Sequence, residues 1–206
     1  AYGLGESTGI ELAESTGVNA GPEYSASVGA TWYAGNTLSA AIGQSDNLFT
    51  PLQIANYVAT LVNGGTRYAA HLLQRVTDAD GNVTEYEPKV LNTVELQSQN
   101  LDAIKQGMLE VVQNTKSVEA AFKNLTDAGI QVGAKTGSAQ VDGQVEANAV
   151  FVCFAPFEDP EVAVALVVQR GGSGSELGAM AADILSYYFS SQETRDEAPT
   201  ENTLVR

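Results

Sequence analysis

The 206-residue sequence predicts an α+β domain: helices first, then an antiparallel meander whose closing helix packs back on the sheet. Three observations carry this expectation. Thr50-Pro51-Leu52-Gln53 opens a helix with apolar residues at helical spacing. Three β-rich runs then succeed one another beyond residue 130, with turn-forming residues between them. Finally, a glycine-serine break at residues 171–174 precedes a last helix with one apolar stripe.

The elements follow in order. Residues 1–49 are rich in Gly, Ser, Thr and Ala and predict a long irregular segment with short helices or turns, one near residues 37–42. Gly3, Gly5 and Gly9 miss the spacing of a dinucleotide fingerprint and follow no strand. Thr50 can cap the first firm helix, Pro51 suits its first position and Gln53 completes a capping box. Leu52, Ala55, Val58 and Leu61/Val62 form its stripe, and Asn63-Gly64-Gly65 stops it. Residues 72–77 and 83–87 flank Asp78-Ala79-Asp80-Gly81-Asn82, a hairpin signal. Those aspartates lack the remaining ligands of a calcium loop, so the turn is read as solvated. A second helix is expected from Ser98, its cap, to about Val112, with Leu101, Ile104, Met108 and Val111/Val112 buried. A short helix follows at residues 118–125. Strands are expected at residues 131–141, 147–155 and 162–169, turned by Asp142-Gly143 and Glu158-Asp159-Pro160. Ser173 or Ser175 caps the last helix, whose stripe is Leu177, Met180/Ala181, Ile184/Leu185 and Tyr188. Residues 1–190 are read as one unit and 191–206 as a polar, disordered tail.

Composition narrows the function. The formal charge of −15, with only ten scattered Lys and Arg, argues against a nucleic-acid partner, because phosphate neutralisation needs clustered cations. No apolar run reaches the ~18–20 residues of a membrane span, and no signal peptide is visible. The sequence opens in what reads as the interior of a domain, so a longer parent is expected. Cys153, the single cysteine, lies in an apolar run and is read as a buried, inert thiol.

One stretch breaks local rules. Val132-Gly133-Ala134-Lys135-Thr136-Gly137-Ser138-Ala139-Gln140-Val141 sets a lysine, two hydroxyls and a glycine inside a strand-like run. A phosphate-binding loop is excluded, since Ala134 precedes the lysine and no helix follows. A strand edge that receives an extended peptide fits better. Glycine at 137 would admit a ligand to the backbone. Lys135 supplies positive charge, the Thr136 and Ser138 hydroxyls can hold a carboxylate, and the Ser138 N–H can face a developing oxyanion.

Lys135-Thr136-Gly137 resembles the third motif of the penicillin-binding proteins and class A β-lactamases. Other stretches resemble the monofunctional, class B penicillin-binding transpeptidases. They are Tyr2-Gly3-Leu4-Gly5-Glu6-Ser7-Thr8-Gly9-Ile10, Ala41-Ile42-Gly43-Gln44 with Thr50-Pro51-Leu52-Gln53-Ile54-Ala55, Asn63-Gly64-Gly65-Thr66, and Asn148-Ala149-Val150-Phe151-Val152-Cys153-Phe154-Ala155-Pro156. The resemblance runs to about residue 190 and implies the C-terminal portion of that transpeptidase fold.

No serine here has a lysine three positions later, so the family's nucleophile motif is absent from the chain. Ser45-Asp46-Asn47 and Ser98-Gln99-Asn100 match the Ser-x-Asn motif but fall elsewhere than the family keeps it, and both are read as chance matches. Residues 111–132 also depart from the family, which favours a glycine- and threonine-rich link there. His71, the only histidine, has no neighbouring Ser or Asp and is read as structural.

The resemblance implies a parent that cross-links peptidoglycan by serine acyl transfer, with stem peptides as substrates and β-lactams as acylating inhibitors, on the extracytoplasmic face of the bacterial membrane. Lys135, Thr136, Gly137 and Ser138 would bind substrate, Ser138 through its N–H in the oxyanion hole. No metal or cofactor is implied. The chain alone is expected to be inactive and to be able to self-associate through an open sheet edge. The alternatives are a β-lactamase or β-lactam sensor of the same fold, or a non-catalytic binding module.

Overall fold

A computed structural model describes residues 1–196 apart from Asp142 and Gln144, with side chains described as far as residue 191. Among the described residues there are six α-helices: α1 (Pro22–Ser27), α2 (Ala34–Ala41), α3 (Pro51–Val62), α4 (Ser98–Asn114), α5 (Lys116–Asp127) and α6 (Gly178–Asp196). Seven strands accompany them: β1 (Thr66–Tyr68), β2 (Arg75–Thr77), β3 (Val83–Glu85), β4 (Val90–Thr93), β5 (Gly133–Ala139), β6 (Asn148–Ala155) and β7 (Val162–Val168).

The predicted meander is the centre of the molecule. Strands β5, β6 and β7 form a three-stranded antiparallel sheet in that order, so β5 and β7 are its edges. Period-2 alternation sorts the central strand. Ala149, Phe151, Cys153 and Ala155 face α5 and α6, where they join Val118, Phe122, Leu125, Leu177, Ala181 and Leu185. Val152 and Phe154 face the other way, onto Val58 of α3 and Met108 of α4. Because helices cover both faces, β6 is apolar at nearly every position rather than alternating. Phe122 is fully buried and stacks on Phe151 with ring centroids 6.1 Å apart. Burying a side chain of that size contributes ~1.5–3 kcal/mol.

Helix α3 begins as its sequence requires: Thr50 Oγ1 accepts from the Gln53 N–H at 3.1 Å and Gln53 Oε1 accepts from the Thr50 N–H at 2.9 Å. The hairpin also forms, with Arg75 opposite Glu85 and Thr77 opposite Val83. The Asp78 carboxylate is occupied by its own turn, accepting from the Asn82 side chain at 2.8 Å and from the Asp80 and Asn82 N–H groups at 2.9 Å. These bonds hold its pKa below the ordinary carboxylate value, the Asn82 side chain contributing most. Strands β1 and β4, which pair antiparallel around this hairpin, carry no strong sequence signal because each is only three or four residues long.

Several expectations shift in detail. The helix expected at residues 37–42 starts earlier, at Ala34, where the Asn36 side chain accepts from the Tyr33 N–H at 3.0 Å. Ser98 is the first helical residue of α4 and Gln97 occupies the cap position. The stripe of α4 is buried only in its second half. Met108, Leu109 and Val112 are enclosed, whereas Ile104 is 46% exposed. In the last stripe, Leu177 just before α6 and Ala181 and Leu185 on it are buried, but Met180 and Ile184 are exposed. Helix α6 continues to Asp196, so the tail expected from residue 191 begins helical; residues 197–206 lie outside the described part. Residues 140–147 link β5 to β6, a longer connection than a two-residue turn, and Asp142 of the expected turn is outside the described residues.

Candidate functional site

Among the described residues strand β5 pairs on one side only, so Lys135-Thr136-Gly137-Ser138 stand at an open edge of the sheet. Strand periodicity divides the four side chains. Lys135 and Gly137 stand opposite Val152 and Val150 on one face; Thr136 and Ser138 stand opposite Phe151 and Ala149 on the other. The ammonium and the two hydroxyls therefore converge only over the edge itself.

The backbone is oriented by its partners. Gly174 lies directly on the Gly137–Val150 pair, where a Cβ would collide with both carbonyl oxygens. The Lys135 ammonium donates to the carbonyl of Thr136, so that carbonyl points away from β6. Antiparallel ladders alternate inward and outward groups, which turns the N–H and C=O of Thr136 and Ser138 toward the open edge. Lys135 and Ser138 are exposed, Thr136 and Gly137 half-buried. An extended acyl chain laid along this edge would meet backbone donors and acceptors, one cation and a bare glycine.

The nearby glycines have separate reasons. At Gly133 a Cβ would run into the Phe154 ring, so the start of β5 depends on that ring's burial. At Gly137 a Cβ would sit 3.4 Å from the Val150 Cβ, at the tight end of ordinary contact. Gly137 thus folds without needing to be glycine, and its bareness is surplus to packing.

The asparagines of the two Ser-x-Asn strings are both hydrogen-bonded within the fold. Asn47 Oδ1 accepts from the Ala20 N–H at 2.9 Å, and its amide donates to the carbonyls of Ala40 and Gln44 at 3.2 and 3.1 Å. Ser45 is exposed in the turn after α2, with φ of 65°. Asn100 donates to the Gln97 side chain at 3.3 Å in the first turn of α4. His71 stacks on Tyr86 with centroids 3.9 Å apart, and its Nδ1 lies 2.9 Å from the Leu73 carbonyl. Cys153 is fully buried, and desolvation pushes its thiol up to about 12.

Two polar clusters were invisible to sequence reasoning. Glu14 accepts from the Ser7 hydroxyl at 2.5 Å, the Thr8 hydroxyl at 2.7 Å and the Thr8 and Gly9 N–H groups. The Ser7 and then the Thr8 hydroxyl contribute most to lowering its pKa to about 2. Arg67, 3% exposed, pairs with Glu6 at 2.5 Å and donates to the Ser7 carbonyl at 2.6 Å. These two partners lie 61 and 60 positions away, and a third, the Asn92 side chain at 3.4 Å, lies 25 away, so no local spacing announces them. A cavity of about 480 Å³ beside Arg67 is lined by Ala1, Glu6, Ser7, Leu91 and Asn92 and includes none of the β5 motif.

The sheet is flanked by helices on both faces, and its β5 edge carries a lysine-threonine-glycine sequence of the kind found as the third motif of penicillin-binding proteins. The family model described as the penicillin binding protein transpeptidase domain matches residues 1–186, and the chain belongs to that family. Penicillin-binding protein 2A of Bacillus subtilis is 32% identical over 97% of this chain and 29% of its own length. The peptidoglycan D,D-transpeptidase MrdA of Escherichia coli K12 is 28% identical over 99% of this chain and 34% of its own. Among solved structures, penicillin-binding protein 2 of Helicobacter pylori superimposes with a TM-score of 0.73 at 28% identity, covering 92% of this chain and 34% of that one. These relatives are of the class B type that the motifs resemble. The chain spans about a third or less of their lengths.

Proposed function

We propose that this chain is the substrate-binding portion of a peptidoglycan D,D-transpeptidase, and that it supplies the strand along which the donor stem peptide lies. The observation that carries the reading is the outward-facing backbone of Thr136 and Ser138 beside Lys135 and the bare Gly137, on an unpaired edge. In the complete enzyme a serine outside these residues attacks the penultimate D-alanine carbonyl. The carbonyl carbon gains the Oγ–C bond, its oxygen becomes the oxyanion, and the terminal D-alanine leaves with the proton as the acyl-enzyme forms. An amine of a neighbouring peptide then displaces the serine.

Lys135 and Thr136 hold the donor's terminal carboxylate off the edge, where a charge-assisted contact outweighs a neutral one. The Lys135 ammonium donates to the Thr136 carbonyl, a neutral partner that an incoming carboxylate readily replaces. Gly137 permits close approach and the Ser138 N–H forms half of the oxyanion hole, where one donor is worth roughly 100–1,000-fold in rate. The parent acts on the extracytoplasmic face of the bacterial membrane. Among the described residues no helix is long and apolar enough to span it.

The chain alone is proposed to be inactive. It contains no Ser-x-x-Lys, and Leu38, Ile42 and Leu48 stand 74, 79 and 63% exposed around α2, an apolar surface suited to the rest of the domain. In isolation the open edge of β5 is also a pairing surface. A fluorescent penicillin distinguishes the readings. Stable covalent labelling of the complete protein is expected, with none on the 206-residue chain. Rapid turnover of the label would indicate a β-lactamase, absence of labelling would eliminate acyl transfer, and a label on Ser45 of the isolated chain would overturn its assignment as a chance match.

A further inference from the structure

The segment between β7 and α6 is more than a connector. It leaves the far edge of the sheet at Arg170, whose N–H donates to the Asn148 side chain at 3.0 Å, and Gly172 N–H then donates to the Ala147 carbonyl at 2.9 Å. At Gly171 a Cβ would sit 2.9 Å from that of Ala149, so the chain crosses β6 in close contact. It reaches the opposite edge at Gly174, which is buried and begins a short 3-10 helix (Gly174–Leu177) leading into α6. There the Gly174 N–H donates to Ser138 Oγ at 3.3 Å. The segment is thus a strap from one edge strand to the other, hydrogen-bonded at both ends.

Gly174 has no room for a side chain. A Cβ would strike the carbonyl oxygens of Gly137 and Val150, both backbone atoms that cannot swing aside. Its φ lies outside the left-handed region, so glycine is demanded there by contact rather than by torsion. The hydrogen bond has a polarity as well. By accepting from Gly174, Ser138 Oγ fills one lone pair and keeps its own proton free to donate. Ser138 is exposed, and its backbone faces the open edge, so that proton is available to a group bound along the strand.

We infer that Gly174 is a positioning residue for the β5 edge: its bare Cα seats the strap on the Gly137–Val150 pair, and its N–H sets the Ser138 hydroxyl as a donor toward a carboxylate or carbonyl ligand. Gly174 touches neither ligand nor reacting atoms and acts through Ser138 and the strand. The ligand class rests on the transpeptidase reading; the mechanical coupling does not. Inserting a methyl at Gly174 displaces strap or strand by about 1 Å, and a displacement of that size at a reacting geometry costs roughly 100-fold in rate.

Two measurements test this. Amide exchange at Gly174 is followed in the complete protein and in its S138A and S138T variants. S138A should accelerate exchange roughly fivefold, the factor one ordinary hydrogen bond represents, while S138T, which keeps the acceptor, should not. Unchanged exchange in S138A overturns the inference even if Gly174→Ala fails to fold. The second measurement is the acylation rate by a fluorescent penicillin in G174A, S138A and the double variant. Coupling predicts that the double variant loses less than the product of the two single losses; multiplicative losses with unaltered melting temperatures refute it. A wild-type protein that never labels defeats the transpeptidase reading, while the exchange experiment still decides the role of Gly174.

Discussion

Gln53→Glu is a one-atom change at a position where the structure leaves no latitude. Gln53 is 1% exposed; its Nε2 donates to the carbonyls of Glu6 and Thr16 at 2.8 Å each, while Oε1 accepts from the Thr50 N–H. One side chain thereby caps α3 and ties down two turns of the N-terminal segment. A glutamate keeps the contact to Thr50 but replaces two donors with an oxygen that faces two carbonyl oxygens. Two lost hydrogen bonds cost about 1 kcal/mol each, and the unpartnered buried charge adds a comparable or larger sum. A net loss of about 3–5 kcal/mol at pH 7 is expected. Acceptor surroundings and burial both favour the protonated acid, so the variant's carboxyl titrates higher folded than unfolded. Its neutral form restores one donor, and the deficit relative to wild type should therefore shrink as pH falls through the raised folded pKa toward the unfolded value. Urea unfolding of both proteins at pH 7 and pH 5 measures it. A deficit below about 1 kcal/mol at pH 7, or one that widens on acidification, would refute the argument.

Glu14 titrates in the opposite sense. Its folded pKa is lowered from 4.5 to about 2, so its contribution is present above the unfolded value and lost as pH falls through that window; E14Q should flatten the acid limb of a stability–pH curve. Phe122→Ala should cost about 3–5 kcal/mol by chemical unfolding, since the fully buried ring packs on Phe151; a loss under about 1 kcal/mol would mean the cavity collapses. Cys153, with its thiol near 12 and no exposed surface, should resist thiol reagents until the protein is unfolded, and stoichiometric labelling of the native protein would contradict its burial.

Much of the fold was legible because its signals are local. The capping box at Thr50 and Gln53, the Asp78–Asn82 turn and the apolar run of β6 each declare themselves within a few residues. The candidate strand was legible for the opposite reason: lysine and glycine are poor strand residues, and their presence in one needs an explanation beyond packing. The misreadings fall where the signal is weak or its consequence depends on what lies alongside. Strands β1 and β4 are too short for periodicity to speak. Ile104, Met180 and Ile184 hold helical spacing yet remain exposed, because burial depends on a neighbouring surface as well as on the stripe.

The sequence by itself determined the helices, the meander, the edge motif and the family to which the chain belongs, since each rests on residues close together in the chain. Tertiary structure alone decided that β5 lies at an edge of the sheet, that Gln53 also holds Glu6 and Thr16, and that Gly174 rests on Gly137. The Gln53 and Gly174 contacts join residues 36 to 47 positions apart. Periodicity and capping rules describe how a chain bonds to itself nearby; only packing the elements together brings distant backbone within reach.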